Sequence, residues 1–113
     1  MIKIYHNPRC RKSREGLEYL EKSGIPFEKV LYLKDNPSKD ELRQILNALG
    51  MKPIQLIRKN EAIWKEKFKG KTITDQALIE AMTAFPKLIE RPIIINGDRA
   101  VIGRPAAQIK ELL

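Results

Sequence analysis

Near its C-terminal end the chain reads Ile93-Ile94-Ile95, Asn96-Gly97, then Ala100-Val101-Ile102. Two short apolar runs flanking Asn-Gly are the strongest local signal for a β-hairpin, because that dipeptide supplies the positive φ angles of a tight turn. A hairpin alone is not stable in water, so the remaining residues must supply further strands and cover for both faces. This is the narrowest constraint on what the chain can fold into.

The other elements follow from periodicity. Met1 to Tyr5 is short, β-rich and stopped by the turn His6-Asn7-Pro8. From Cys10 onward Leu17 and Leu20 sit three apart among charged residues, and Gly24 closes a helix. Phe27 to Leu33, with Val30 and Tyr32 as β-formers, reads as a second strand. Ser38 and Glu41 form a capping box just after Pro37, ahead of Leu42, Ile45, Leu46 and Leu49 at helical spacing, with Gly50 as the stop. Pro53 opens a short helix carrying Ile54 and Ile57. Asn60 caps another with Ile63, Trp64 and Phe68, and Thr74 a third with Leu78 and Met82. After the hairpin, Gly103 and Pro105 lead into a last helix with Ile109, Leu112 and Leu113.

The order is therefore β, α, β, several helices, β, β, α. The first βαβ unit must be parallel and right-handed and the terminal hairpin antiparallel. A mixed four-stranded sheet flanked by helices results, an α/β fold of thioredoxin-like arrangement with a helical insertion at about 38–85. At 113 residues this is one domain, 1–113. No stretch suits a secretory signal or a membrane span, so the expected compartment is the cytoplasm, where a lone thiol stays reduced.

One cysteine and one histidine exclude an internal disulfide and leave too few soft ligands for a zinc site; no metal or bound cofactor is expected. The net charge of +8 favours anionic partners. The charges are scattered, however, aromatic residues make up only 6%, and no nucleic-acid motif is present, which disfavours nucleic acid as the partner.

Cys10 carries the chemistry. It lies where a strand-ending turn meets a helix start, so free backbone N–H groups and the positive end of the helix stabilise a thiolate over a thiol. Arg9, Arg11 and Lys12 add positive charge, and the polar, basic turn argues against burial. Ser13, three residues on, is placed to donate a hydrogen bond to the sulfur, and His6 to orient the loop or shuttle a proton. A dithiol oxidoreductase needs a second cysteine. Ser13 stands in that place and the chain has no other, so any redox cycle must recruit an external thiol. Arg58, Arg91 and Arg104 are candidate oxyanion ligands, guanidinium being suited to multidentate binding. Arg91 and Arg104 flank the hairpin at the same end and can converge on one anion.

Four motifs occur in order: Ile4-Tyr5-His6-Asn7-Pro8-Arg9-Cys10-Arg11-Lys12-Ser13-Arg14, Leu56-Ile57-Arg58-Lys59-Asn60, Glu90-Arg91-Pro92-Ile93-Ile94-Ile95 and Gly103-Arg104-Pro105. Together they resemble the arsenate reductase (ArsC) family over nearly the whole chain, departing from it in the arginines beside the cysteine. The resemblance implies a thioredoxin-like fold with a cis proline at Pro92 and Cys10 as nucleophile. It implies that Arg58, Arg91 and Arg104 hold the oxyanion, with His6 and Ser13 in support. It also implies arsenate as substrate, glutathione as co-substrate and glutaredoxin as partner. Two alternatives share the same residues. One is a glutathione-dependent reductase of mixed disulfides. The other is a regulator resembling Spx, for which docking on RNA polymerase stays open although Ser13 removes the C-x-x-C redox switch.

Overall fold

The computed structural model describes residues 1–113. Four strands, β1 (Ile2–Tyr5), β2 (Phe27–Val30), β3 (Ile93–Asn96) and β4 (Arg99–Ile102), form one sheet in the order β2-β1-β3-β4. β1 runs parallel to β2 and antiparallel to β3, and β3 is antiparallel to β4. The helices are α1 (Arg11–Ser23), α2 (Lys39–Leu49), α3 (Pro53–Leu56), α4 (Ala62–Lys67) and α5 (Asp75–Ala84). Short 3-10 segments cover Pro86–Leu88 and Ala106–Leu112. This is the thioredoxin-like arrangement with α2 to α5 inserted between β2 and β3. No helix is long and apolar enough to cross a membrane.

Strand alternation splits the core in two. Ile2 and Ile4 of β1 and Ile94 of β3 face α1 and the C-terminal 3-10 segment, packing with Leu20, Ile109 and Leu112. Tyr5 and Ile93 face the opposite way, into a larger cluster built mainly by the inserted helices around Leu42, Leu46, Leu56, Leu78 and Met82. The larger side is sealed by local chemistry. Ser38 accepts from the Glu41 N–H while the Glu41 carboxylate accepts from the Ser38 N–H, a complete capping box worth about 1 kcal/mol. The same carboxylate accepts the Tyr5 hydroxyl at 2.6 Å, tying the start of α2 to β1. Thr74 caps α5 through the Ala77 N–H.

Four expectations need correction. The hairpin loop is Gly97-Asp98 rather than Asn96-Gly97: Asn96 pairs with Arg99 inside the ladder, and only Gly97 takes a positive φ (64°), as a type II′ turn requires. The one-residue shift frees the Asn96 side chain to donate to the Leu112 carbonyl at 2.9 Å. The second strand ends at Val30, and a turn closed onto the Leu31 carbonyl carries Tyr32 inward instead. Glu61, not Asn60, is the N-cap of α4. The last element is a 3-10 segment because only Ile109 and Leu112 are buried; spaced by three, they fall on one side of a three-residue turn, while Leu113 is exposed.

Candidate active site

Cys10 is the N-cap of α1, extended at φ −96° and ψ 122°, with its carbonyl accepting the first helical bond from the Arg14 N–H. Its own N–H donates to the Asn7 carbonyl at 3.0 Å. The preceding loop is held from within the helix: Ser13 Oγ accepts the Asn7 N–H at 2.9 Å and meets His6 Nδ1 at 2.7 Å. His6 is buried, and burial together with the charges of Lys29 and Arg14 lowers its pKa against the opposing pull of the Ser13 backbone and the Glu21 carboxylate. The ring is therefore neutral at pH 7, and we assign the Ser13 hydroxyl as donor to Nδ1. Loop and helix form a single hydrogen-bonded unit with Cys10 at its corner.

Three expectations about this unit change. Ser13 does not reach the sulfur, because His6 and Asn7 use its hydroxyl and turn it toward the loop. Arg11 does not support the site: its side chain is 84% exposed and pairs with Glu15, as does Lys12. Cys10 itself is buried, at 9% exposure, despite its polar sequence neighbours. Arg104 covers it, donating from Nη2 to Sγ at 3.6 Å.

Close packing brings these segments together. A Cβ on Gly16 would lie 2.9 Å from Pro92 Cγ, and one on Gly103 3.1 Å from the same atom. Two glycines thus let α1 and the end of β4 close on the Pro92 ring. The Arg91-Pro92 peptide is cis, as is Arg104-Pro105. The Gly103 N–H donates to the Pro92 carbonyl and Arg104 Nε to the Arg91 carbonyl at 2.8 Å, so both arginines sit just beyond the open end of the hairpin. Arg58 arrives on an isolated bridge between Ile57 and Ile89, secured by its own N–H to the Leu88 carbonyl at 2.7 Å.

Among the arginines sits a carboxylate that sequence reasoning missed. Glu90 Oε1 accepts the Arg91 N–H at 3.0 Å and lies 3.7 Å from Arg58 Nε and 3.5 Å from Arg104 Nε. Arg58 is further paired with Glu61 at 2.9 Å. Glu90 stands beside Arg91 in the third motif, so its position was visible but its role as the hub of three arginines was not. Against this cluster lies a cavity of about 510 Å³. His6 to Arg9, the loop leading into Cys10, form part of its wall; Arg58, Arg91, Lys34 and Lys87 make the rest strongly cationic, with Glu61 as the one acid. Lys34 and Lys87 carried no motif and could be found only in three dimensions.

Residues 5–112 match the family model described as the ArsC family. The chain belongs to the ArsC family. Among its relatives, the protein YfgD of Escherichia coli, itself uncharacterized, is 44% identical over 99% of this chain and 96% of its own length. An arsenate reductase of Neisseria meningitidis is 40% identical over 99% and 97%. The structure of an arsenate reductase from Vibrio cholerae superposes with a TM-score of 0.94 at 42% identity, covering 99% of this chain and 97% of that one. In this ArsC-family chain the four motifs contribute Cys10, Arg58, Arg91 and Arg104 to one end of the sheet, while Arg11 and Lys12 stand apart, paired with Glu15.

Proposed function

We propose that the protein is an arsenate reductase in which the Cys10 thiolate attacks a bound oxyanion, with glutathione as co-substrate and glutaredoxin as the final thiol partner. The observation that carries this reading is Arg104 Nη2 at 3.6 Å from Cys10 Sγ, beside a cavity that Arg58 and Arg91 line. A nucleophile and cations for its substrate are thus neighbours before any ligand arrives. Relatives named arsenate reductase, at 40–42% identity, support the choice of oxyanion.

The chemistry is nucleophilic. Sulfur displaces an oxygen of arsenate, which leaves as water, and the arginines offset the growing negative charge on the remaining oxygens. Glutathione displaces a second oxygen in the same way. Arsenic(V) becomes arsenic(III) as two thiol sulfurs leave as a disulfide, and glutaredoxin reduces the glutathione mixed disulfide. Cys10 is the chain's only cysteine, so the second sulfur must come from outside. The cationic wall of Arg9, Lys34 and Lys87 suits a thiol carrying carboxylates. Such a cycle belongs in the reducing cytosol.

The test is arsenate reduction with glutathione and glutaredoxin by the wild type and by Cys10→Ser. Turnover in the wild type and none in the variant is expected. Turnover that survives the substitution removes the nucleophile. A wild type inert to arsenate that nonetheless reduces glutathione mixed disulfides through Cys10 replaces the substrate.

A further inference from the structure

Three buried side-chain polar atoms have no hydrogen-bond partner: Tyr32 Oη, Arg91 Nε and Thr83 Oγ1. The first two belong to residues that line the same cavity beside Cys10. Orphaned donors cost stability, and native structures carry few of them. Tyr32 is only 1% exposed, so water does not compensate its hydroxyl in bulk. Its phenol lies within electrostatic reach of Arg58, Cys10, Glu90 and Glu61, the groups that build the site. Burial raises its pKa, so the hydroxyl remains protonated and can only strengthen an anion's binding as a donor. The turn that follows β2, closed onto the Leu31 carbonyl, carries this side chain to the cavity wall.

We propose that Tyr32 is a further substrate-binding residue, whose hydroxyl donates a hydrogen bond to an oxygen of the oxyanion held beside Cys10. This rests on the oxyanion reading above and adds a neutral donor to the arginines. A phenol within reach of the Arg58 guanidinium, in a cavity that Arg91 also lines, serves a distinct purpose. It favours an oxygen on a tetrahedral centre at one position without adding charge, and so aids orientation more than capture.

The experiment compares wild type with Tyr32→Phe, which keeps the ring and removes only the hydroxyl. Arsenate, with inorganic phosphate as a non-reducible probe, is titrated for protection of Cys10 against iodoacetamide. Arsenate kcat/KM and the thermal midpoint are measured alongside. The expected result is a midpoint equal to or above wild type, because an unpaired buried hydroxyl has gone. The half-protecting concentration should rise, and kcat/KM fall, by about 10- to 100-fold, the range for a hydrogen bond to a charged group. Unchanged protection by both anions overturns the assignment. A lowered midpoint accompanied by a matching loss of protection also overturns it, since that marks a structural tyrosine. If the wild type is protected yet reduces no arsenate, the proposed reaction fails, and protection alone still decides the role of Tyr32. If neither anion protects the wild type, both readings fall.

Discussion

Replacing Gly16 with alanine sets two forces against each other. In an open helix interior the change stabilises by about 1 kcal/mol, because alanine loses less backbone freedom than glycine. At this position the added methyl would stand 2.9 Å from Pro92 Cγ, well inside the ~3.5–4.0 Å at which two carbon atoms rest. The proline ring cannot retreat freely, since the same atom already closes on Gly103, and Ile109 Cδ1 would lie 3.6 Å from the new methyl. Overpacking of this kind costs about 1–3 kcal/mol. The net effect is a destabilisation of about 0–2 kcal/mol. With an unfolding entropy of roughly 2.1 cal/mol/K per residue, 1 kcal/mol moves the midpoint of a chain this size by about 4 °C. The midpoint should therefore hold or drop by up to about 8 °C. Without the clash it would rise by about 4 °C. Relief of the clash must push α1 away from the proline, and Cys10 at its N-cap with it, away from Arg104. Thermal unfolding should accordingly be paired with the rate of Cys10 alkylation and with arsenate kcat/KM, both of which should change. A midpoint raised by about 4 °C with both rates unaltered would refute the claim that this contact sets the site.

Other substitutions probe other parts of the assembly. Arg104→Lys should lower arsenate kcat/KM about 10- to 100-fold, because one ammonium cannot both reach Cys10 and hold the Arg91 carbonyl as Nη2 and Nε now do; steady-state kinetics within twofold of wild type would return Arg104 to a bystander. The lowered pKa of His6 means that the unfolded chain binds its proton first, so His6 leaves stability untouched above its unfolded value of about 6.5. It erodes stability as pH falls below that, at up to about 1.4 kcal/mol per unit until the folded group titrates. In urea unfolding between pH 7.5 and 5, His6→Gln should lose this part of the slope, and parallel curves would show that His6 is not held neutral.

Much of the fold was legible where a local rule acts alone. Ser38 with Glu41, Thr74 and the glycine stops needed only their own turn of chain, and the antiparallel pairing of β3 and β4 needed only its two runs of β-formers. The register of that hairpin was not legible. Gly97 satisfies either turn, and Asn96 is decided by a carbonyl at Leu112 that arrives from elsewhere. The site divides in the same way. Cys10 at a helix start and arginines at the hairpin's open end could be read from order and spacing. The direction in which Ser13 points could not, because it is settled by competition between the sulfur and the His6 ring. Arg11 and Arg9 look equivalent beside the cysteine, yet one lies on the outward face of α1 against Glu15 and the other on the cavity wall. Tyr32 read as a β-former because aromatic side chains favour strands; the turn that aims it inward has no distinctive residue.

The contact between Arg104 and Cys10 spans 94 positions of the chain. Neither end of that span can hold the other until β1, β3 and β4 have all been laid side by side, and non-local closure of this sort slows folding. A nascent or partly opened chain consequently has a cysteine but no guanidinium to cover it, and no shorter stretch of the polypeptide carries the pair. The reactive centre and the finished topology come into being together.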